Sequence, residues 1–146
     1  MAAVAVARRR GRPQNPLTIV PPADVVDTVV LMDLKVNAKF IHTWITVDYE
    51  TTRNWLVRHR LLANSATCRQ YHRAMRLTKC EELEFDKEQW RCRDCSMAQS
   101  IRKSSFFEDA HLSLMEQLEI IYWWTTDNSQ VAIMLELNVS HKTLID

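Results

Sequence analysis

The stretch Trp90-Arg91-Cys92-Arg93-Asp94-Cys95 decides how this chain is read. A Cys-x-x-Cys turn aims two sulfurs at one point, on adjacent corners of a tetrahedron, and a closed structural zinc site asks for four donors of this kind. Upstream, Cys68 offers a third. The fourth has two candidates: His72, which makes a Cys-x-x-x-His span with Cys68, and Cys80, at the far end of the first hairpin. The chain holds four Cys in all. The opening Met1-Ala2-Ala3-Val4-Ala5-Val6-Ala7 precedes its arginines, which is backwards for a secretory signal. Cysteines in a non-secreted chain, nuclear or cytoplasmic, point to Zn2+ before disulfides.

Working outward, residues 64–105 read as a zinc-ribbon-like module. Met75-Arg76-Leu77, Gln89-Trp90-Arg91 and Ala98 to Arg102 are its strands, and the polar run Cys80 to Glu88 is a loop. Before it, residues 48–63 read as a helix. Asp48 caps it, and Tyr49, Thr52, Trp55, Leu56 and Leu62 form the apolar side, with Arg53, Arg58 and Arg60 on a solvated basic face. After it, Ser113-Leu114-Met115-Glu116 is a capping box. The helix it opens buries Leu114, Met115, Leu118, Ile121 and Tyr122 and ends near Trp124. A second helix, about Ser129 to Leu137, presents Val131, Met134 and Leu135. Asn138 suits a left-handed turn, and Ser140 caps a third helix from His141 to Asp146. Two helices joined by a short turn after a leading helix make a helix-turn-helix unit over residues 106–146. The fold expected is therefore α+β: small zinc-ribbon-like β hairpins packed with helices, then three helices.

The remaining segments say less. Residues 1–23, with Arg8 to Arg10, Arg12 and four prolines, read as a disordered basic tail. Arg10-Gly11-Arg12-Pro13 resembles the core of an AT-hook, whose arginines lie in a narrow A·T minor groove; a generic basic tail is the simpler reading. Residues 24–47 receive no assignment, because periodicity cannot choose between strand and helix for a run so short. At 146 residues and 47% hydrophobic, the chain suits one ordinary domain or two small modules sharing a core. A single glycine argues against phosphate-cradling loops and dinucleotide folds. Net charge is only +1, yet Arg53 to Lys103 is rich in Arg and Lys while the chain after Glu108 is acidic apart from Lys142. That asymmetry suggests an anionic partner for the first two thirds. No run approaches the roughly 18 apolar residues of a membrane span.

From Tyr49 onward the chain resembles the N-terminal part of Merlin-type transposases, eukaryotic relatives of the bacterial insertion-sequence DDE transposases. The residues that carry the likeness are Tyr49-Glu50-Thr51-Thr52 with Trp55-Leu56 and Leu61-Leu62, then Cys68, Met75-Arg76-Leu77, and Trp90-Arg91-Cys92 with Cys95. Ser100-Ile101-Arg102-Lys103 with Ser105-Phe106-Phe107-Glu108 matches best, followed by His111-Leu112-Ser113-Leu114 and the tail Asn138-Val139-Ser140 with Lys142-Thr143. In the family this region is a zinc ribbon plus helix-turn-helix that holds transposon-end DNA. Three departures stand out. Tyr71 occupies the family's second knuckle Cys, with His72 where glycine follows; Asn138 and Met134 replace small residues of the helical unit; and residue 146 falls ahead of the RNase-H-like domain that bears the catalytic carboxylates.

The resemblance implies a truncated, non-catalytic DNA-binding fragment of a transposable element. Phosphate contacts are expected from Arg69, Arg73, Arg76, Arg91, Arg93, Arg102 and Lys103, since guanidinium forks match phosphate oxygens. Arg10 and Arg12 would add tail contacts, and base reading would fall to His141, Lys142 and Thr143. Two alternatives stay open: a fragment that pairs with full-length transposase through the apolar surface around Ile120 and Tyr122 to Trp124, and a remnant with no role. An enzyme is the weakest option, because Cys-x-x-Cys between strands lacks the helix N-terminus that redox chemistry needs.

Overall fold

A computed structural model describes residues 15–27 and 36–145 of the chain. Alternation builds its sheet. In β1 (Arg76–Lys79) and β2 (Glu88–Arg91), Leu77 and Trp90 pair in register and are buried, while the next pair, Arg76 and Arg91, lies on the opposite face. β3 (Ala98–Ser100) adds antiparallel to β2, placing Gln99 opposite Trp90 and completing a three-stranded sheet in the order β1-β2-β3.

The sheet's inner face meets helices. α1 (Ala38–Phe40) runs into a wide turn, Ile41–Ile45, closed by the Thr46 N–H on the Ile41 carbonyl. α2 (Tyr49–Arg58) begins where the Asp48 carboxylate accepts the Thr51 N–H at 2.8 Å and the Thr51 hydroxyl at 3.0 Å, which holds Asp48 below its ordinary pKa. It is shorter than expected. The chain leaves the helix at His59, Arg60 turns left-handed (φ 61°), and Leu62 reaches the core because its N–H folds back onto the Leu56 carbonyl. Leu56 and Val57 pack with Cys68, Met75, Leu77, Trp90, Cys92, Ile101, Phe107 and Leu114 in one core. The Cys68 and Cys92 thiols are therefore part of that core, with Cys95 packed against it.

Arg53 corrects the expected basic face. It is buried, ion-paired with Glu88 of β2, and lies over the Tyr49 ring at 5.7 Å. Burial, with the Glu88 and Asp86 carboxylates, keeps the Tyr49 phenol well above its usual range.

The expected tail also needs correction where it is described. Leu77 N–H donates to the Pro16 carbonyl at 2.9 Å, so the segment lies along the outer edge of β1 and covers it. Asn64, expected only to stop a helix, clamps the strap: its Oδ1 accepts the N–H groups of Ile19 (2.9 Å) and Val20 (2.8 Å), and its Nδ2 donates to the Val20 carbonyl (2.9 Å). Val20 is 3% exposed. Proline content signalled disorder, yet strap residues lacking an N–H can still present carbonyls to an edge. The rest of the tail, and residues 28–35 of the unassigned stretch, lie outside the described residues.

α3 (Leu114–Thr125) opens with the capping box as expected, Glu116 Oε2 accepting the Ser113 N–H at 2.9 Å. α4 (Gln130–Leu137) follows, capped by Ser129. Asn138 takes the left-handed conformation (φ 52°, ψ 39°), and α5 (His141–Ile145) follows Ser140, whose hydroxyl accepts the Thr143 N–H. Ile120, Ile133 and Leu144 form a second core among these helices. Two faces differ from expectation. α3 buries Leu114, Gln117 and Ile120 most deeply, because it serves two cores at once; Met115 and Tyr122 are half-buried. Gln117 tolerates burial by donating to the Leu112 carbonyl at 3.0 Å. In α4 the buried residue is Ile133, while Val131 and Leu135 are 65% and 78% exposed. α4 is apolar on nearly every side, so periodicity could not choose its inner face.

Candidate metal centre

Two turns of the same build bring three thiols together. In the first, Thr67 bridges Ala74, the Cys68 N–H donates to the Arg73 carbonyl at 2.9 Å, and His72 is left-handed (φ 52°). In the second, between β2 and β3, the Cys92 N–H donates to the Met97 carbonyl at 2.9 Å and Ser96 is left-handed (φ 58°). Each closes five residues on, with the positive φ one residue before closure. Superposed in register, Cys68 matches Cys92, and Tyr71 matches Cys95. Glycine would be favoured at both left-handed positions; His72 and Ser96 hold them at some cost in strain.

The Sγ atoms of Cys68, Cys92 and Cys95 all lie within 4.8 Å of one another, and Cys68 and Cys95 are 3.5 Å apart. Tetrahedral zinc with Zn–S bonds of about 2.3 Å separates its sulfurs by about 3.8 Å, so the cluster fits three corners of such a site. All four cysteines are free thiols. Backbone N–H groups serve the sulfurs. The Tyr71 N–H, joined by those of Gln70 and by the Cys95 and Cys92 thiols, holds Cys68 below its ordinary pKa although burial opposes this. At Cys95 the Met97 N–H is outweighed by burial and by the Cys68 and Cys92 sulfurs, and the thiol is raised. Cys68 is thus the readier thiolate of the two.

Neither expected fourth donor joins them. Among the described residues the cluster comprises Cys68, Cys92 and Cys95 only. His72 is exposed, its backbone spent on the left-handed turn and on the N–H bond to the Cys68 carbonyl (2.8 Å). Cys80 sits where β1 gives way to the acidic loop, its N–H on the Lys87 carbonyl at 2.8 Å. The equivalent fourth corner belongs to residue 71. There a phenol oxygen lies across a rigid ring from Cβ and cannot fold back to where a cysteine sulfur would sit; Tyr71 is 48% exposed.

The basic residues divide. Arg69, Arg73, Arg91 and Arg93 are exposed around the two turns, with Arg73 3.4 Å from Asp94. Arg76, half-buried, donates to the Asn15 carbonyl at 2.7 Å and stands directly across the sheet from Arg91. Arg102 is a correction. It is 5% exposed and forks onto Asp86 (Nη2–Oδ1 2.6 Å, Nε–Oδ2 2.7 Å), while Nη1 donates to the Leu112 carbonyl at 2.8 Å. All of its charge faces inward, so it ties the loop ahead of β2 to the segment leading into α3 and has nothing left for a phosphate. Lys103 is half-buried and paired with Glu108, whose carboxyl it holds down together with the Ser104 N–H. On α5, His141 and Lys142 are exposed, but the Thr143 hydroxyl is 2.7 Å from that of Ser140. Arg10 and Arg12 lie outside the described residues. The Arg102–Asp86 and Arg53–Glu88 pairs had no signal in the sequence, since Asp86 and Glu88 read as part of one acidic loop.

Comparisons with protein-family models, with curated proteins and with solved structures found no match to this chain. No helix among the described residues is long and apolar enough to cross a membrane.

Proposed function

We propose that this chain is a zinc-bearing DNA-binding module akin to the N-terminal part of Merlin-type transposases, a zinc ribbon followed by a helix-turn-helix unit, with no chemistry of its own. The observation that carries it is the ring of arginines around a three-thiol centre. Arg69 and Arg93 each follow a ligand cysteine at the same place in its turn, and Arg91 faces Arg76 across the strands. Cys68, Cys92 and Cys95 would hold Zn2+, which would supply cross-linking, fixing the two turns that display the arginines. α5 offers only His141 and Lys142 for base reading, so the binding is largely independent of sequence.

Such binding releases counterions, with log K falling by about 0.9 per neutralised phosphate for each decade of salt. Anisotropy titrations of the full chain on duplex DNA are expected to give a slope of about −3 to −4 from four exposed arginines, reduced by about 1 in Arg91→Gln. Affinity indifferent to salt would overturn the reading. A second reading has its own observation: Trp124, Val131 and Leu135 are 49%, 65% and 78% exposed on the acidic helical unit. A chain that ignores DNA at low salt yet co-elutes with a full-length transposase would favour pairing through that surface.

A further inference from the structure

Three thiols without a fourth donor suit a second class of ligand besides zinc. Cys68 and Cys92 are 0% and 3% exposed, and Cys95 is half-buried. Zinc on three thiolates keeps an open corner that a fourth donor must fill and carries a net negative charge. A trivalent thiophilic centre that makes three bonds in a pyramid, with a lone pair on its fourth side, needs no fourth donor. On three thiolates it is also neutral.

We propose that Cys68, Cys92 and Cys95 form a binding site for trivalent arsenic, its lone pair toward the corner that residue 71 leaves without a sulfur. The proposal rests on the thiol cluster alone and is independent of zinc and of DNA. The three Sγ atoms lie within 4.8 Å of one another, with Cys68 and Cys95 3.5 Å apart, close enough for one centre to bond all three. The reaction balances without an oxidant. As(OH)3 exchanges three As–O bonds for three As–S bonds, each thiol proton leaves with a hydroxide as water, and arsenic stays trivalent.

Cys80, outside the cluster, serves as an internal control. The full chain, chelator-treated and reduced with a phosphine, is mixed with one equivalent of sodium arsenite, then alkylated and weighed intact. The expected result is one arsenic per chain with a single cysteine alkylated, mapped to Cys80, and the same arsenic uptake in Cys80→Ser. Cys68→Ser, Cys92→Ser and Cys95→Ser should each lower retention against a competing dithiol by about tenfold or more. Alkylation of all four cysteines in wild type, protection of Cys80, or undiminished retention in Cys92→Ser would overturn the proposal. The wild-type alkylation map does not depend on whether a variant folds. A chain that takes zinc but not arsenite sinks this inference alone; one that takes arsenite but not zinc upholds it and sinks the zinc reading.

Discussion

Replacing Tyr71 with Cys is expected to tighten zinc binding about a hundredfold. The ground is the equivalence of the two turns. Both close with an N–H to carbonyl bond of 2.9 Å, and both place a left-handed residue just after the position in question. A cysteine at 71 would therefore present its sulfur as Cys95 does, toward the centre that Cys68, Cys92 and Cys95 already share. A four-ligand structural zinc site is worth roughly 10–16 kcal/mol; a quarter of that is about 3 kcal/mol, or about two decades in affinity. Tyr71 is exposed, so the substitution removes no core packing. Competition with a chromophoric chelator reads the change. No gain over wild type would mean that the turns are not equivalent in orientation, and that the fourth corner lies elsewhere.

Asp86→Ala is expected to destabilise the fold by about 3–5 kcal/mol, the usual cost of leaving one buried partner of an ion pair uncompensated. Arg102 would keep its charge at 5% exposure with only the Leu112 carbonyl, and more distantly that of Ala110, to receive it. Restoring neutrality should recover much of the loss: Asp86→Ala combined with Arg102→Met is expected to be more stable than Asp86→Ala alone, since the lone charge is gone. Urea denaturation followed by tryptophan fluorescence measures both, Trp90 being in the same core. A loss below about 1 kcal/mol would show that water reaches the guanidinium and that the pair is a surface bridge in energetic terms.

How far the sequence could be read depended on the length scale of the signal. Local chemistry was plain. Asp48, Ser113, Asn138 and Ser140 cap or turn as their side chains dictate, and the strands fell near Leu77 and Trp90, where apolar and charged residues alternate. Three thiols of the candidate site were legible because two share a Cys-x-x-Cys turn and the third opens the equivalent turn upstream. The fourth was not. Spacing admitted His72 and Cys80, but only the backbone trace shows that the first turn spends residue 72 on a left-handed kink and gives its fourth corner to a tyrosine. Arg53 and Arg102 were misjudged for a related reason. An arginine's sequence neighbours say nothing of the carboxylate that meets it from 16 or 35 residues away. The inner face of α4 was illegible because Val131, Ile133, Met134 and Leu135 surround the helix, and only Ile120 and Leu144 decide which is covered.

The central claim is that one ion held by Cys68, Cys92 and Cys95 pins the two turns of the ribbon. Amide hydrogen exchange, followed by mass spectrometry on the zinc-loaded and chelator-stripped chain, tests it most directly. Removal of the metal should speed exchange over residues 68–75 and 92–98 and leave the α3–α5 cluster around Ile133 little changed, with wild type, His72→Ala and Cys80→Ser each holding one zinc before stripping. Unchanged protection across both turns in the stripped chain would contradict the claim, and zinc lost on the His72 or Cys80 change would assign the site to other donors.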